Sequence, residues 1–119
     1  MPRNISFFHT KDQLRDKSKT VTRRNGWLFL KAGDTLNACE KCQGLGKGGK
    51  IKVITQITIV DVSRVRLDTI TADDCKREGF PDMTPAEFVK FYCDNMKVKP
   101  SDIVTRIEFT YLDDKGAES

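Results

Sequence analysis

The chain has 119 residues, with 38% hydrophobic and 32% charged side chains, the size and balance of one globular domain with a core of its own. That composition excludes a disordered chain, and no apolar run is long enough for a membrane-spanning helix. The start, Met1-Pro2-Arg3-Asn4, leads into only a short apolar stretch and does not read as a signal peptide. A cytoplasmic protein with reduced cysteines and no membrane partner is therefore expected. The net charge of +4 is uneven: residues 1–52 hold 12 Lys/Arg against 4 Asp/Glu, residues 53–119 hold 9 against 13. The basic first part suits an anionic partner as well as it suits a plain solvated surface.

Ile5-Ser6-Phe7-Phe8 predicts a short strand, and Lys11 to Ser18 one or two helical turns. Thr20 to Arg24, rich in β-branched residues, predicts a second strand. Asn25-Gly26 and Ala32-Gly33-Asp34 mark turns, and Thr35 to Glu40 a third strand. The loop Gly44-Leu45-Gly46-Lys47-Gly48-Gly49-Lys50 is basic and glycine-rich. It fails the Walker pattern, which needs Ser or Thr where Ile51 stands, and reads as a hairpin connection carrying charge.

Ile51 to Leu67 is the longest strand signal. Its apolar phase runs through Ile57 and Ile59, slips to Val60 and Val62, then returns at Val65. Since side chains alternate with a period of two, a slip of phase predicts a bulge or bend. Thr71-Ala72-Asp73-Asp74 opens a helix that Gly79 and Pro81 close just after Glu78. Thr84-Pro85-Ala86-Glu87 opens a second helix by a capping box with Pro at its first position. Phe88, Phe91, Tyr92 and Met96 form its apolar stripe, expected to pack in the core. Ile103, Ile107, Phe109 and Tyr111 alternate with polar residues in a last strand with one buried face. The remainder, Asp113 to Ser119, is a polar tail. The sum is an α+β fold: a small barrel of five to six strands with two short helices before the last strand.

The ordered features resemble the ASCH domain, a relative of the PUA-like β-barrels. They are Ile5-Ser6-Phe7-Phe8, Lys19-Thr20-Val21-Thr22-Arg23-Arg24, Ala32-Gly33-Asp34, Val65 to Thr71, Arg77-Glu78-Gly79-Phe80, the helix from Thr84, and Arg106-Ile107-Glu108-Phe109. The resemblance spans nearly all of residues 1–119 as one domain, and it implies RNA or a modified nucleoside as partner. It is closest to small bacterial amidohydrolases that deacetylate N4-acetylcytidine, whose Lys-Thr-x-Thr-x-Arg strand and distant Glu fall on Lys19, Thr22, Arg24 and Glu78. The stretch between Trp27 and Lys50 is longer than that pattern and carries the cysteine pair and glycine loop.

Amide hydrolysis needs a nucleophile, a base and an acid. Thr22 offers a hydroxyl. Lys19 serves as base once burial or nearby cations lower its pKa. Glu78, at the end of a helix, is the remaining candidate for the acid. Thr20, Arg23, Arg24, Lys47 and Lys50 are the candidate substrate or RNA contacts. Residues three apart in a straight strand point to opposite faces, so Lys19 and Thr22 meet only if Lys19 sits in the preceding turn. On the residues alone, Lys-Thr-Val-Thr-Arg-Arg also describes a solvated strand; the resemblance leaves three readings open: acylated-cytidine hydrolase, non-catalytic RNA-binding module, and ribonuclease using the same basic cleft.

The pair Cys39-x-x-Cys42 fits half of a chaperone-type zinc module and supplies two ligands where a structural zinc needs four. No metal or other cofactor is expected. Cys75 and Cys93 read as small core residues and His9 as a strand-end residue. Trp27 is suited equally to stacking on a base and to packing beside its turn.

Overall fold

The structure, a computed structural model, describes residues 3–40 and 53–112. The expected loop contacts Lys47 and Lys50, together with Cys42 and the polar tail from Asp113, lie outside the described residues.

Among the described residues five strands and three α-helices follow one another: β1 (Arg3–Ser6), α1 (Lys11–Arg15), β2 (Val21–Arg24), β3 (Thr35–Cys39), β4 (Val53–Arg66), α2 (Ala72–Arg77), α3 (Pro85–Met96) and β5 (Ile103–Tyr111). The strands make one curled sheet in the order β1-β3-β4-β5-β2. β1 runs parallel to β3, and every other pairing is antiparallel. The sheet is therefore a half-barrel, with β1 and β2 as its two edges, and not a barrel closed strand to strand.

Two strand expectations shift. Phe8 opens a 3-10 turn, Phe8–Thr10, instead of ending β1. Ile103 is 50% exposed, and the buried face of β5 is carried by Ile107, Phe109 and Tyr111. The phase slip in β4 is a bulge: the register against β5 shifts between Ile59 and Asp61. It leaves Val60 exposed and keeps Ile57 and Ile59 in the core. The bulge bends the long strand so that one sheet curls around one core.

Both predicted helix starts are built as the sequence implies. The Thr71 side chain accepts from the Asp74 amide, and Thr84 and Glu87 form a reciprocal capping box. The two sheet faces are covered separately. Inside the curl, Ile5, Phe7, Leu36, Ile57, Ile107 and Phe109 pack with Leu14 of α1. On the other side, Leu67, Ile70, Cys75, Phe88, Tyr92 and Val104 form a second core beneath α2 and α3.

Candidate active site

A cavity of about 290 Å³ opens at the β2 edge. Its polar side is made by Lys19, Thr22, Arg23, Arg24 and Glu78. Its apolar side is made by Phe7 and by Phe80, Phe88, Phe91, Tyr92 and Met96. The α3 stripe is thus more than core packing: Phe88 and Tyr92 are buried, and together with Phe91 and Met96 they wall the cavity.

Lys19 lies outside β2, in the turn after α1. Lys17 takes a positive φ of 65° there, and the Ser18 and Lys19 amides both donate to the Gln13 carbonyl. The geometric condition for Lys19 and Thr22 to share a site is a turn of this kind. The entry to β2 is pinned from three sides. Thr20 donates its amide to the Arg77 carbonyl at 2.8 Å, the Tyr111 hydroxyl donates to the Lys19 carbonyl at 2.5 Å, and Gln13 Nε2 donates to the Gly79 carbonyl at 2.9 Å. Gly79 follows Glu78 with φ +99°, a left-handed conformation suited to glycine. These ties join the Lys19 turn to the end of α2.

Lys19 is 2% exposed, and its Nζ donates to both the carbonyl (2.6 Å) and the carboxylate Oε1 (3.1 Å) of Glu78. Burial pulls the Lys19 pKa below the ordinary lysine value; Glu78 opposes this, while Arg24 and Arg23 add to it. Glu78, 3% exposed, caps the C-terminus of α2, and its Oε2 accepts from Arg23 Nη1 at 3.1 Å. Both carboxylate oxygens therefore accept from cationic side chains.

Arg23 is 4% exposed and bridges two carboxylates one helical turn apart, Glu78 and Asp74; its Nη2 meets Asp74 Oδ2 at 2.7 Å. Its Nε has no hydrogen-bond partner among the described residues. Arg23 thus borders the cavity with most of its guanidinium buried in ion pairs. Thr22 and Arg24 point to the other face of β2, as alternation requires. Arg24 Nε donates to Thr22 Oγ1 at 3.0 Å, and its Nη2 donates to the Ser6 carbonyl at 2.5 Å. Arg24 so spans from one edge strand to the other, with its guanidinium 4.7 Å from the centre of the Phe7 ring. Thr20 contributes backbone bonds and does not border the cavity.

Sequence reasoning brings Lys19, Thr22, Arg23, Arg24 and Glu78 to one site, and it misses Asp74 and Arg106. Asp74 accepts from Arg106 Nε at 2.9 Å and Nη2 at 3.1 Å as well as from Arg23. These cations hold its carboxyl well below the usual range, at about 2. The signal for Asp74 was its spacing of four from Glu78, which puts both carboxylates on one helix face.

No protein-family model and no curated protein matches the sequence. Solved structures do. Protein EF3133 from Enterococcus faecalis V583, described under the family name DUF984, superposes with a TM-score of 0.67 at 14% identity, over 94% of this chain and 80% of that one. An ASCH domain from Lactobacillus crispatus JV V101 superposes with a TM-score of 0.67 at 15% identity, over 92% and 78%. A curled five-stranded sheet flanked by these helices, matched over nearly its whole length, gives the chain an ASCH-like α+β fold.

Proposed function

We propose that the chain is a small amidohydrolase that removes an acyl group from a modified nucleoside, with N4-acetylcytidine as the reference substrate. The observation that carries this reading is the cavity itself. At about 290 Å³ it sits at the lower end of small-molecule sites, matching one nucleoside better than a strand. Its lining combines aromatic rings, which suit a flat base, with a hydroxyl, an amine and a carboxylate. The ASCH-like fold is associated with RNA binding, which agrees with a nucleoside-class ligand.

In the proposed reaction, neutral Lys19 accepts the Thr22 hydroxyl proton as Thr22 Oγ1 forms a bond to the acyl carbon. Arg24, already donating to that oxygen, favours its anionic form. The carbon–nitrogen bond then breaks, and the Lys19 ammonium returns its proton to the leaving amine. A water, activated in turn by Lys19, cleaves the acyl-threonine ester and releases the acid. Glu78 keeps Nζ oriented and stabilises the transient ammonium, as a third group does in nucleophile–base sites generally. Burial of Lys19 supports its part, because a lysine base must be neutral near the working pH.

RNA binding by counterion release through Lys19 and Arg23 has less support, since both are buried and ion-paired. The test is incubation with N4-acetylcytidine. Release of cytidine that disappears in Thr22→Ala is expected; no release by the wild-type protein at high concentration overturns the proposal.

A further inference from the structure

Arg23 and Arg106 are direct cross-strand partners in the β2–β5 ladder. Two like charges opposite one another on a sheet repel. The fold places one carboxylate between them: Asp74, in the first turn of α2, accepts from both guanidiniums. From there a chain of alternating charge runs inward. Arg106 holds Asp74, Asp74 holds Arg23, Arg23 holds Glu78, and Glu78 holds Lys19, through contacts of 2.7 to 3.1 Å. Exposure falls along it, from side chains of 17% and 14% at Arg106 and Asp74 to 2–4% at Arg23, Glu78 and Lys19.

We propose that Asp74 and Arg106 are positioning residues for the cavity: they hold Arg23 against Glu78 and so set the charge that Lys19 meets. Neither borders the cavity. Their influence travels through Arg23, whose two terminal nitrogens divide between Asp74 and Glu78. Without Asp74, Arg23 would lose one anchor and rest its charge on Glu78 alone, competing with Lys19 for that carboxylate. The inference deepens the preceding reading and rests on Lys19 being the proton acceptor.

Among the described residues, the Cys75 thiol of α2 also faces Arg23, Glu78 and Asp74. Lys19 faces Glu78 from α2, Arg23 and Arg24 from β2, and the ring of Phe7. The Tyr111 hydroxyl of β5 meets its carbonyl, and Tyr92 of α3 and His9 of the 3-10 turn border the same cavity. Arg106 also faces Glu108 at 3.6 Å and Asp61 of β4. None of these bridges Arg23 and Arg106 as Asp74 does.

The sign of the charge removed gives a test that a merely structural role does not pass. Asp74→Asn takes one negative charge from the chain, so Lys19 releases its proton at lower pH, by about half a pH unit or more. Arg106→Gln takes one positive charge away, so the proton is released at higher pH. Asp74→Glu restores the wild-type value. The probe is nitrogen NMR of the lysine side-chain amines across a pH titration, with the Lys19 signal identified by its loss in Lys19→Met. This readout needs no turnover, so it stands apart from the hydrolase assay: absence of hydrolysis sinks the reaction and leaves the charge relay measurable. Where turnover is present, the rising limb of the pH–rate profile should move with the NMR titration. Opposite displacements in Asp74→Asn and Arg106→Gln support the inference. Displacements in the same direction, or none in either folded variant, overturn it. If Asp74→Asn fails to fold, the upward displacement in Arg106→Gln decides alone.

Discussion

Replacing Glu78 by alanine should destabilise the protein by about 3 kcal/mol. Removing one partner of a buried ion pair typically costs about 3–5 kcal/mol, because the remaining charge stays buried without compensation. Here Arg23 and Lys19 lose a partner at once, and at 4% and 2% exposure water does not replace it. Each keeps a second contact, Lys19 the Glu78 carbonyl and Arg23 the Asp74 carboxylate, which puts the estimate at the lower end of that range. At about 2.1 cal/mol/K of unfolding entropy per residue, 119 residues give about 0.25 kcal/mol/K, so the melting temperature should fall by roughly 12 °C. Thermal unfolding followed by circular dichroism, with urea titration as a second measure, reads this directly. Adding Lys19→Met should restore part of the loss, since the buried amine left without its carboxylate partner is then gone. A loss below about 1 kcal/mol for Glu78→Ala, or no recovery in the double variant, would refute the view of Glu78 as a buried anchor for both cations.

Other perturbations report on neighbouring parts of the account. The folded-state pKa of Lys19 lies below its unfolded value, so the unfolded chain binds more protons between the two. Stability should therefore rise as pH climbs through that window toward the unfolded value of 10.5, and Lys19→Met should flatten the rise in pH-dependent urea titrations. Asp74 has the same sign in a lower window: its stabilisation is complete above pH 3.8 and is lost as pH falls toward about 2, a component of acid unfolding absent from Asp74→Asn. Gly79→Ala should cost about 1–2 kcal/mol in thermal melts, because φ is +99° and an added Cβ would lie 3.0 Å from the Gln13 side chain that ties α1 to α2. Phe91→Ala should raise KM for a nucleoside substrate several-fold with little change in stability, since this ring borders the cavity and is only half-buried.

Where local chemistry decides structure, the sequence could be read closely. The caps at Thr71 and Thr84 and the bulge at Val60 each rest on a rule acting over a few residues, and each is present. What local rules do not carry is which strands become edges. That depends on how far the bulged β4 curls the sheet, and it leaves β1 and β2 unpaired with each other, bridged by the Arg24 side chain. The edge position of β2 explains the site. An edge strand can offer residues from both faces to one recess, so Thr22 and Arg23 serve the same cavity although they alternate. The α3 stripe, expected as core packing, also walls the cavity for a related reason: apolar spacing identifies a face turned inward and does not say whether that inner space is filled. Asp74 and Arg106 needed the β2–β5 register, which brings Arg106 opposite Arg23 and which no single segment encodes.

The central claim is that Thr22 carries the acyl group during turnover in this cavity. Mixing the wild-type protein with N4-acetylcytidine, quenching in acid within the first turnovers and mapping peptides by mass spectrometry tests it most directly. The account predicts one added acetyl group on the peptide containing Thr22, accompanied by release of cytidine and absent in Thr22→Ala. Undiminished cytidine release by Thr22→Ala, or an acetyl group on another residue alone, would contradict it.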